Sequence, residues 1–359
     1  MKTIIFAGGN GTRLWPVSRT SMPKQFQKLI NHKTLFELTV ERMRKVYSMD
    51  DIYIVIPQVY VSVVKEILPD LADDHIIIEP CQWDTLACIG YAASRMYELY
   101  PEETLFLAWS DHIIHDEKKF LDIIQDGDAY AKKENKVIRF GAKAVYPNTN
   151  WGYLKFGGQI AEGERTVKFY AYERHYEKPS LEMAKRYVSS FTYLWNMGCM
   201  IWPAKKLMDA YKEYSPDTYA ILQKIGNSNF KGDLAKEYMK INKISMDFEI
   251  LEQAGKTDFV VVTADVGWND VGDWLSLKAE LQNEPEDIVS LGEKSTLHAV
   301  DADTAITFTD QKGKTICLLG VRDIAVIDTA DVLLVCSLEK AADVKKLVQQ
   351  IKEKSPKLL

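Results

Sequence analysis

The chain has 359 residues, enough for one large domain with an appendage or for two domains at about 150 residues each. Hydrophobic residues make up 47% and charged residues 27%, the proportions of an ordinary globular protein, which argues against a disordered chain and against a membrane protein. The net charge of -6 argues against a nucleic-acid-binding surface, since such surfaces are basic; phosphorylated small molecules stay open because they need only local cations.

The first strand is expected at Thr3-Ile-Ile-Phe6, an apolar run. Directly after it come three glycines within four positions, Gly8, Gly9 and Gly11, which let a backbone turn its N–H groups toward an anion. Arg13 and Lys24 add a planar cation and a compact one, making the stretch a candidate phosphate cradle. It is not a dinucleotide fingerprint: Leu14 is too large for the third glycine position, and the second strand, Ile52-Tyr-Ile-Val-Ile56, runs into Pro57 and not into an acid. Nor does a Gly-Lys-Ser/Thr run follow, so a Walker loop is excluded; a bare glycine turn between strand and helix is the remaining alternative.

Apolar spacing predicts a helix over 34–46, packed on a sheet, and then strands and helices alternate. Strands are expected at 52–56, 75–79, 104–109 and 137–142, with helices at 63–68, 85–99 and 120–133. Strands apolar on both faces, alternating with helices, imply an α/β fold of Rossmann-like type: a mixed, mainly parallel sheet flanked by helices. Residues 145–205, rich in glycine and aromatics, read as antiparallel strands roofing a pocket, and 204–252 as mainly helical. Strand Phe259-Val-Val-Val-Thr263 leads into an acidic, glycine-rich loop, Asp265 to Trp274. The polar stretch around Pro285 marks a boundary between a domain over 1–282 and a small β-rich C-terminal domain over 283–359 that ends in a helix at 341–352. No internal repeat is apparent.

The five cysteines are scattered and lack metal or redox spacing, so they read as reduced thiols. With no basic-then-apolar leader and no run near the ~18 apolar residues of a membrane span, a cytoplasmic protein without membrane attachment is expected.

In an open parallel sheet, ligands lie beyond the carboxyl ends of the strands. Asp111 closes one such strand and is a candidate metal ligand, although taken alone it reads better as a helix N-cap or turn residue. Asp270 is a second candidate, with Asp265 and Asp273 nearby. Glu177-Lys178-Pro179 offers a carboxylate for a hydroxyl and an ammonium for a second phosphate, or simply a solvated ion pair. Asn196, beside Trp195, suits a sugar or a core turn. His112 and His115 lack a third ligand, and no set of nucleophile, base and orienting group is evident.

Taken in order, these motifs resemble the nucleotidylyltransferases that join a sugar 1-phosphate to a nucleoside triphosphate, and among them the bacterial mannose-1-phosphate guanylyltransferases. The resemblance rests on Gly8-Gly-Asn-Gly-Thr-Arg13 through Pro23-Lys-Gln-Phe26, Ser110-Asp-His112, Tyr176-Glu-Lys-Pro179, Leu194-Trp-Asn-Met-Gly198 and Gly267-Trp-Asn-Asp-Val-Gly-Asp-Trp274. It implies that Gly8, Gly9, Gly11, Thr12 and Arg13 hold the triphosphate of GTP, that Lys24 sits on the phosphates near the reacting centre, and that Asp111 and Asp270 bind Mg²⁺. Lys178 would fix mannose 1-phosphate for attack, and Glu177, Asn196 and Gly152 would contact the sugar. In the base-reading segment, relatives have Asn-Thr-Ala-Pro-Ala where this chain has Asp84-Thr85-Leu86-Ala87-Cys88; Asp84 and Thr85 are the base-reading candidates, and the Asp84 carboxylate can accept from the guanine N1–H and amino group. The resemblance further implies a homodimer and, without the isomerase domain fused in many relatives, a single activity. Alternatives are another manno-configured substrate such as a heptose 1-phosphate, another nucleotide, or a non-catalytic nucleotide-sugar sensor.

Overall fold

The apolar run at the start forms strand β1 (Lys2–Phe6), with Ile4 and Ile5 fully buried. The structure is a computed structural model that describes every residue except Asn10, Asn31, Glu293 and Lys294, so Asn10 of the glycine loop lies outside the described residues. Packing divides the chain into two units, neither continuous in sequence. The first comprises Met1–Gly8, Arg42–Trp109 and Ile114–Trp268; the second comprises Gly9–Glu41, Ser110–Ile113 and Asn269–Leu359.

The first unit is built on one nine-stranded sheet. After β1 come β2 (Ile52–Pro57), β3 (Ile76–Glu79), β4 (Thr104–Trp109), β5 (Val137–Lys143), β6 (Tyr153–Glu162), β7 (Lys168–Tyr176), β8 (Tyr193–Pro203) and β9 (Phe259–Thr263). Their order across the sheet is β3-β2-β1-β4-β8-β5-β9-β7-β6, with a further β8–β6 pairing. The β3-β2-β1-β4 half is parallel, β8 runs antiparallel to both β4 and β5, and β9 is parallel to β5. The strands expected to roof a pocket instead extend this same sheet, β7 pairing antiparallel with β9 and with β6.

The helices in chain order are α1 (Leu35–Arg44), α2 (Val61–Ile67), α3 (Thr85–Leu99), α4 (Glu117–Glu134), α5 (Leu181–Ser190), α6 (Ala204–Tyr214) and α7 (Pro216–Asn227). Helix α3 is mostly apolar because it is covered: Leu86, Ile89, Ala93 and Met96 share a core with Phe6, Val55 and Leu107 of the strands and with Leu207 and Tyr211 of α6. The helical region ends in a single π turn over Asp247–Leu251.

In the second unit the short C-terminal strands stack in coils. Strands β10 (Ile288–Leu291), β12 (Asp303–Thr309) and β14 (Arg322–Asp328) pair in parallel, as do β11 (Thr296–Val300) and β13 (Thr315–Leu319); β15 (Leu333–Ser337) closes antiparallel on β14. This is a short β-helix. Its repeat has no fixed period in the sequence because the strands of one face start at 288, 303 and 322, unevenly spaced. Leu14, Trp15 and Leu35 share one apolar cluster with Ile306 and Ile327 of the coil, with Trp274 of α8 (Trp274–Leu281) and with Val344 of α9 (Val344–Lys354). The segment after Gly11 is therefore backed by the β-helix. Trp15 Nε1 and Arg19 Nη1 donate to Leu358 O at 2.8 and 2.5 Å, and Trp274 Nε1 donates to Trp15 O at 3.1 Å. Among the described residues, no helix is long and apolar enough to cross a membrane.

Candidate active site

In the second unit, Gly11 adopts a left-handed conformation, φ 57°, and opens a short turn over Thr12–Leu14. A Cβ on Gly11 would lie 2.7 Å from Lys24 Cγ, so the glycine both allows the turn and leaves room for the lysine stem. Passing there, Lys24 is buried, and its Nζ lies 2.9 Å from Asp111 Oδ2, 3.0 Å from Asp270 O and 3.2 Å from Val271 O. Burial alone would raise the Asp111 pKa; the Lys24 ammonium, with His112, outweighs it and holds the carboxyl below its usual range. Arg13 and Asp270 both border Gly272, where an added Cβ would sit 3.2 Å from Arg13 Nη2 and 3.2 Å from Asp270 Oδ1. Gln25 Nε2 donates to Gly9 O at 2.9 Å, and Thr12 is exposed.

Neighbouring acids have other work. Asp273 forms a capping box with Ser276 at the start of α8. It is Asp116, not Asp111, that caps α4, through Lys119 N–H at 3.0 Å. In the first unit Asp265 is exposed, its carbonyl accepting from Lys119 Nζ.

The first unit brings three of the sugar-binding candidates together, and sheet register explains why. Tyr153 pairs with Tyr176 on one side and Trp195 on the other, both antiparallel. One residue further along, Gly152 must fall between Glu177 and Asn196. Asn196 N–H donates to Gly152 O at 2.8 Å, and a Cβ on Gly152 would collide with Glu177 Oε2. Lys178 is exposed and pairs with Glu177 Oε1 at 2.9 Å.

Beneath this group lies a polar network that the sequence reading missed. Arg139, fully buried, donates from Nη2 to His175 Nδ1 at 2.9 Å and to Asn196 Oδ1 at 3.3 Å. His175 Nε2 is 3.1 Å from Glu177 Oε2, and Asn196 Nδ2 donates to Asp247 Oδ1 at 3.3 Å. Burial works to raise the Glu177 pKa, but hydrogen bonds from His175 and Lys178 hold it below the usual value; burial pushes Asp247 up, with His175 and Arg139 opposing. Two signals were present in the sequence. Arg139 is a lone charge inside an otherwise apolar strand, which requires buried partners, and His175 is two residues before Glu177 in an extended run, hence on the same face.

In the segment over 79–88, Asp84 caps α3 by accepting from Thr85 N–H at 2.7 Å, and Thr85 Oγ1 accepts from Met246 N–H at 3.1 Å. Glu79 accepts from Tyr238 Oη at 2.7 Å, and Gln82 Nε2 donates to Gly8 O at 3.0 Å.

Two groups bear on metal binding. Ligand atoms of His175, Glu177 and Asp247 lie within 4.8 Å of one another. A guanidinium only donates, however, so His175 Nδ1 accepts from Arg139 and the imidazole proton sits on Nε2, the atom a metal would need. Asp111 and Asp270 offer carboxylate oxygens, the hard ligands a divalent cation takes, beside the Lys24 ammonium on Asp111 Oδ2 and the Asp270 carbonyl.

Residues 2–286 match the family model described as "Nucleotidyl transferase", and residues 298–351 match that of the "MannoseP isomerase/GMP-like beta-helix domain". The chain is 30% identical over 358 residues to the "Mannose-1-phosphate guanylyltransferase" of Escherichia coli (strain K12), covering 97% of this chain and 73% of that protein. It is 32% identical to the protein of the same name from Salmonella montevideo, at the same coverage. Among solved structures it resembles a "mannose-1-phosphate geranyltransferase" from Thermus thermophilus, with TM-score 0.85, 25% identity, and coverage of 98% of this chain and 99% of the other.

Proposed function

We propose, from the premise that this chain belongs to the nucleotidyl transferase family and, within it, to the mannose-1-phosphate guanylyltransferases, that it transfers GMP from GTP to mannose 1-phosphate and releases pyrophosphate. The observation that carries the reading is the Lys24 ammonium held by the Asp111 carboxylate and the Asp270 and Val271 carbonyls. It joins three of the sequence motifs in one charged cluster, the kind of group phosphoryl-type transfer needs.

In this reading a sugar-phosphate oxygen attacks the α-phosphorus of GTP and pyrophosphate leaves, so the protein's task is positioning and charge neutralisation, and no protein nucleophile is required. Gly8, Gly9, Gly11 and Thr12 offer the backbone and hydroxyl donors of the triphosphate cradle, while Arg13 and Lys24 neutralise its charge. Asp111 and Asp270 hold a divalent cation, which we take to be Mg²⁺. Bound there, Mg²⁺ supplies Lewis-acid neutralisation of phosphate oxygens. Lys178 takes the sugar phosphate; Glu177 accepts from a sugar hydroxyl, Asn196 donates to another, and Gly152, whose missing side chain leaves room for the Glu177 carboxylate, contacts the sugar. Asp84 and Thr85 face the base. We assign the chemistry to residues 1–282 and a supporting role to 283–359, in a cytoplasmic homodimer that binds neither nucleic acid nor membrane.

The test is pyrophosphate release by purified protein with Mg²⁺ across a panel of nucleoside triphosphates and sugar 1-phosphates. GTP with mannose 1-phosphate should be the best pair. Preferential turnover of a heptose 1-phosphate or of another nucleotide would replace the substrate assignment, and binding of GDP-mannose without any turnover would overturn the enzyme reading.

A further inference from the structure

The buried network beneath Glu177 and Asn196 has a defined proton arrangement. Arg139 is fully buried, with Nε and Nη1 lacking hydrogen-bond partners among the described residues, and its guanidinium carbon lies 5.9 Å from the ring centres of both Tyr172 and Phe259. Nη2 carries the hydrogen bonds, and its two hydrogens match two acceptors, His175 Nδ1 and Asn196 Oδ1.

Each contact removes an ambiguity. Because Arg139 cannot accept, His175 must present a lone pair at Nδ1, so Nε2 bears the proton and donates to Glu177 Oε2. Because the same nitrogen donates to Asn196 Oδ1, reinforced by Gly198 N–H at 3.2 Å, the Asn196 amide cannot flip; its NH₂ faces Asp247 Oδ1, which takes one of its two hydrogens. Glu177 is thereby kept as an acceptor and Asn196 as a donor.

We infer that Arg139 is a positioning residue that sets the hydrogen-bonding sense of the sugar-binding pair, reaching Glu177 through a single tautomer of His175 and reaching Asn196 directly. The relay rests on the reading that Glu177 and Asn196 touch the sugar. It assigns to a residue outside the recognised motifs, on strand β5, control over which pattern of donating and accepting hydroxyls the site takes. Because a hydroxyl can rotate its proton to serve either partner, the relay fixes which hydroxyl donates to Glu177 and which accepts from Asn196, and a sugar lacking a hydroxyl at either position is rejected because the protein donor or acceptor is left unpaired.

The experiment compares steady-state kinetics of Arg139→Met, His175→Phe, His175→Gln and Glu177→Gln, with circular dichroism and melting curves to confirm folding. The sugar-phosphate KM should rise about tenfold or more in Arg139→Met and His175→Phe, while the GTP KM stays within about twofold, as expected for the loss of a charge-assisted hydrogen bond at one substrate only. His175→Gln, whose amide can donate to Glu177, should recover the sugar KM to within about threefold of the wild type. If Arg139→Met does not fold, the two His175 variants carry the test. A sugar KM raised by Glu177→Gln but left within about twofold by His175→Phe overturns the relay and leaves the Glu177 contact standing. A sugar KM that neither variant moves overturns both. Equal rises in the sugar and GTP KM values, with no rescue by His175→Gln, also overturn the relay, since they mark a general structural defect.

Discussion

Lys24 and Asp111, 87 residues apart in the sequence, form a 2.9 Å ion pair in which the lysine is almost completely buried. The pair keeps Asp111 ionised against the cost of burial. We predict that Asp111→Asn lowers turnover by about 10³-fold or more, because it removes a charge that organises cations around the phosphates. The amide is isosteric, and the Asp270 and Val271 carbonyls still accept from Lys24, but the ammonium loses its counter-ion, so the melting temperature should also fall. Single-turnover rates at saturating Mg²⁺ check the loss of turnover, and a near-normal rate would reduce Asp111 to a turn residue. Chelation with EDTA should abolish turnover of the wild type, and added Mg²⁺ should restore it.

The members of this cluster were each candidates in the sequence, Lys24 from its place after the glycine loop, Asp111 from its place at the end of a strand and Asp270 from its place in an acidic loop, but the Lys24–Asp111 pairing was not legible. The parallel half of the sheet was legible from apolar runs alternating with helices. The network under Glu177 and Asn196 was legible only in part. Arg139, His175, Asn196 and Asp247 come from four separate segments, united by the register of β5, β6, β7 and β8 and by a π turn, which leave no local pattern beyond the lone charge of Arg139 and the spacing of His175 and Glu177. The role of the C-terminal strands was hidden for a related reason. Their apolar residues alternate as in any strand, and only packing reveals that they share a cluster with Leu14 and Trp15.

That shared cluster carries the second prediction. Trp15 is 4% exposed and donates to Leu358 O, so Trp15→Ala should cost about 3–5 kcal/mol of stability. Removing the chain after Asp343, which takes away Val344 and the Leu358 carbonyl, should weaken GTP binding while leaving the secondary structure of the first unit intact. Calorimetric titration with GTP and far-ultraviolet circular dichroism check the two halves of this expectation. Unchanged GTP affinity in the truncated chain would show that the phosphate loop does not depend on its backing.

Two carboxylates in the buried network give pH dependences of opposite sign. Glu177 is held below its unfolded pKa of about 4.3, so its contribution to stability is present above that pH and is lost as the pH falls through the lower folded value. Asp247 is raised above its unfolded pKa of about 3.9, so its contribution is complete below that pH and is lost as the pH rises through the folded value. The melting temperature of Glu177→Gln should therefore fall below that of the wild type at pH 7 and approach it in acid. Asp247→Asn should gain on the wild type as the pH rises from about 3.5 to 7. Melting curves across that range check both, and parallel curves for either pair would refute the corresponding assignment.

Gly152 lies just before strand β6 and Gly158 within it, in different surroundings, which makes them a matched pair. At Gly152 an added methyl would meet Glu177 Oε2 and lie 3.1 Å from His175 Cε1, whereas at Gly158 nothing lies within 4 Å. Gly152→Ala must displace the Glu177 carboxylate from its His175 hydrogen bond, because the sheet register holds the Gly152 backbone between Glu177 and Asn196. We expect the sugar-phosphate KM to rise about tenfold or more, with stability lost as well, since a buried carboxylate is separated from its donor. Gly158→Ala should leave kinetics unchanged and be neutral or stabilising by up to about 1 kcal/mol, because the methyl restricts the unfolded chain and meets no obstacle in the folded one. If both variants bind sugar phosphate as the wild type does, Glu177 can give way without loss, and the tight packing at Gly152 has no part in recognition.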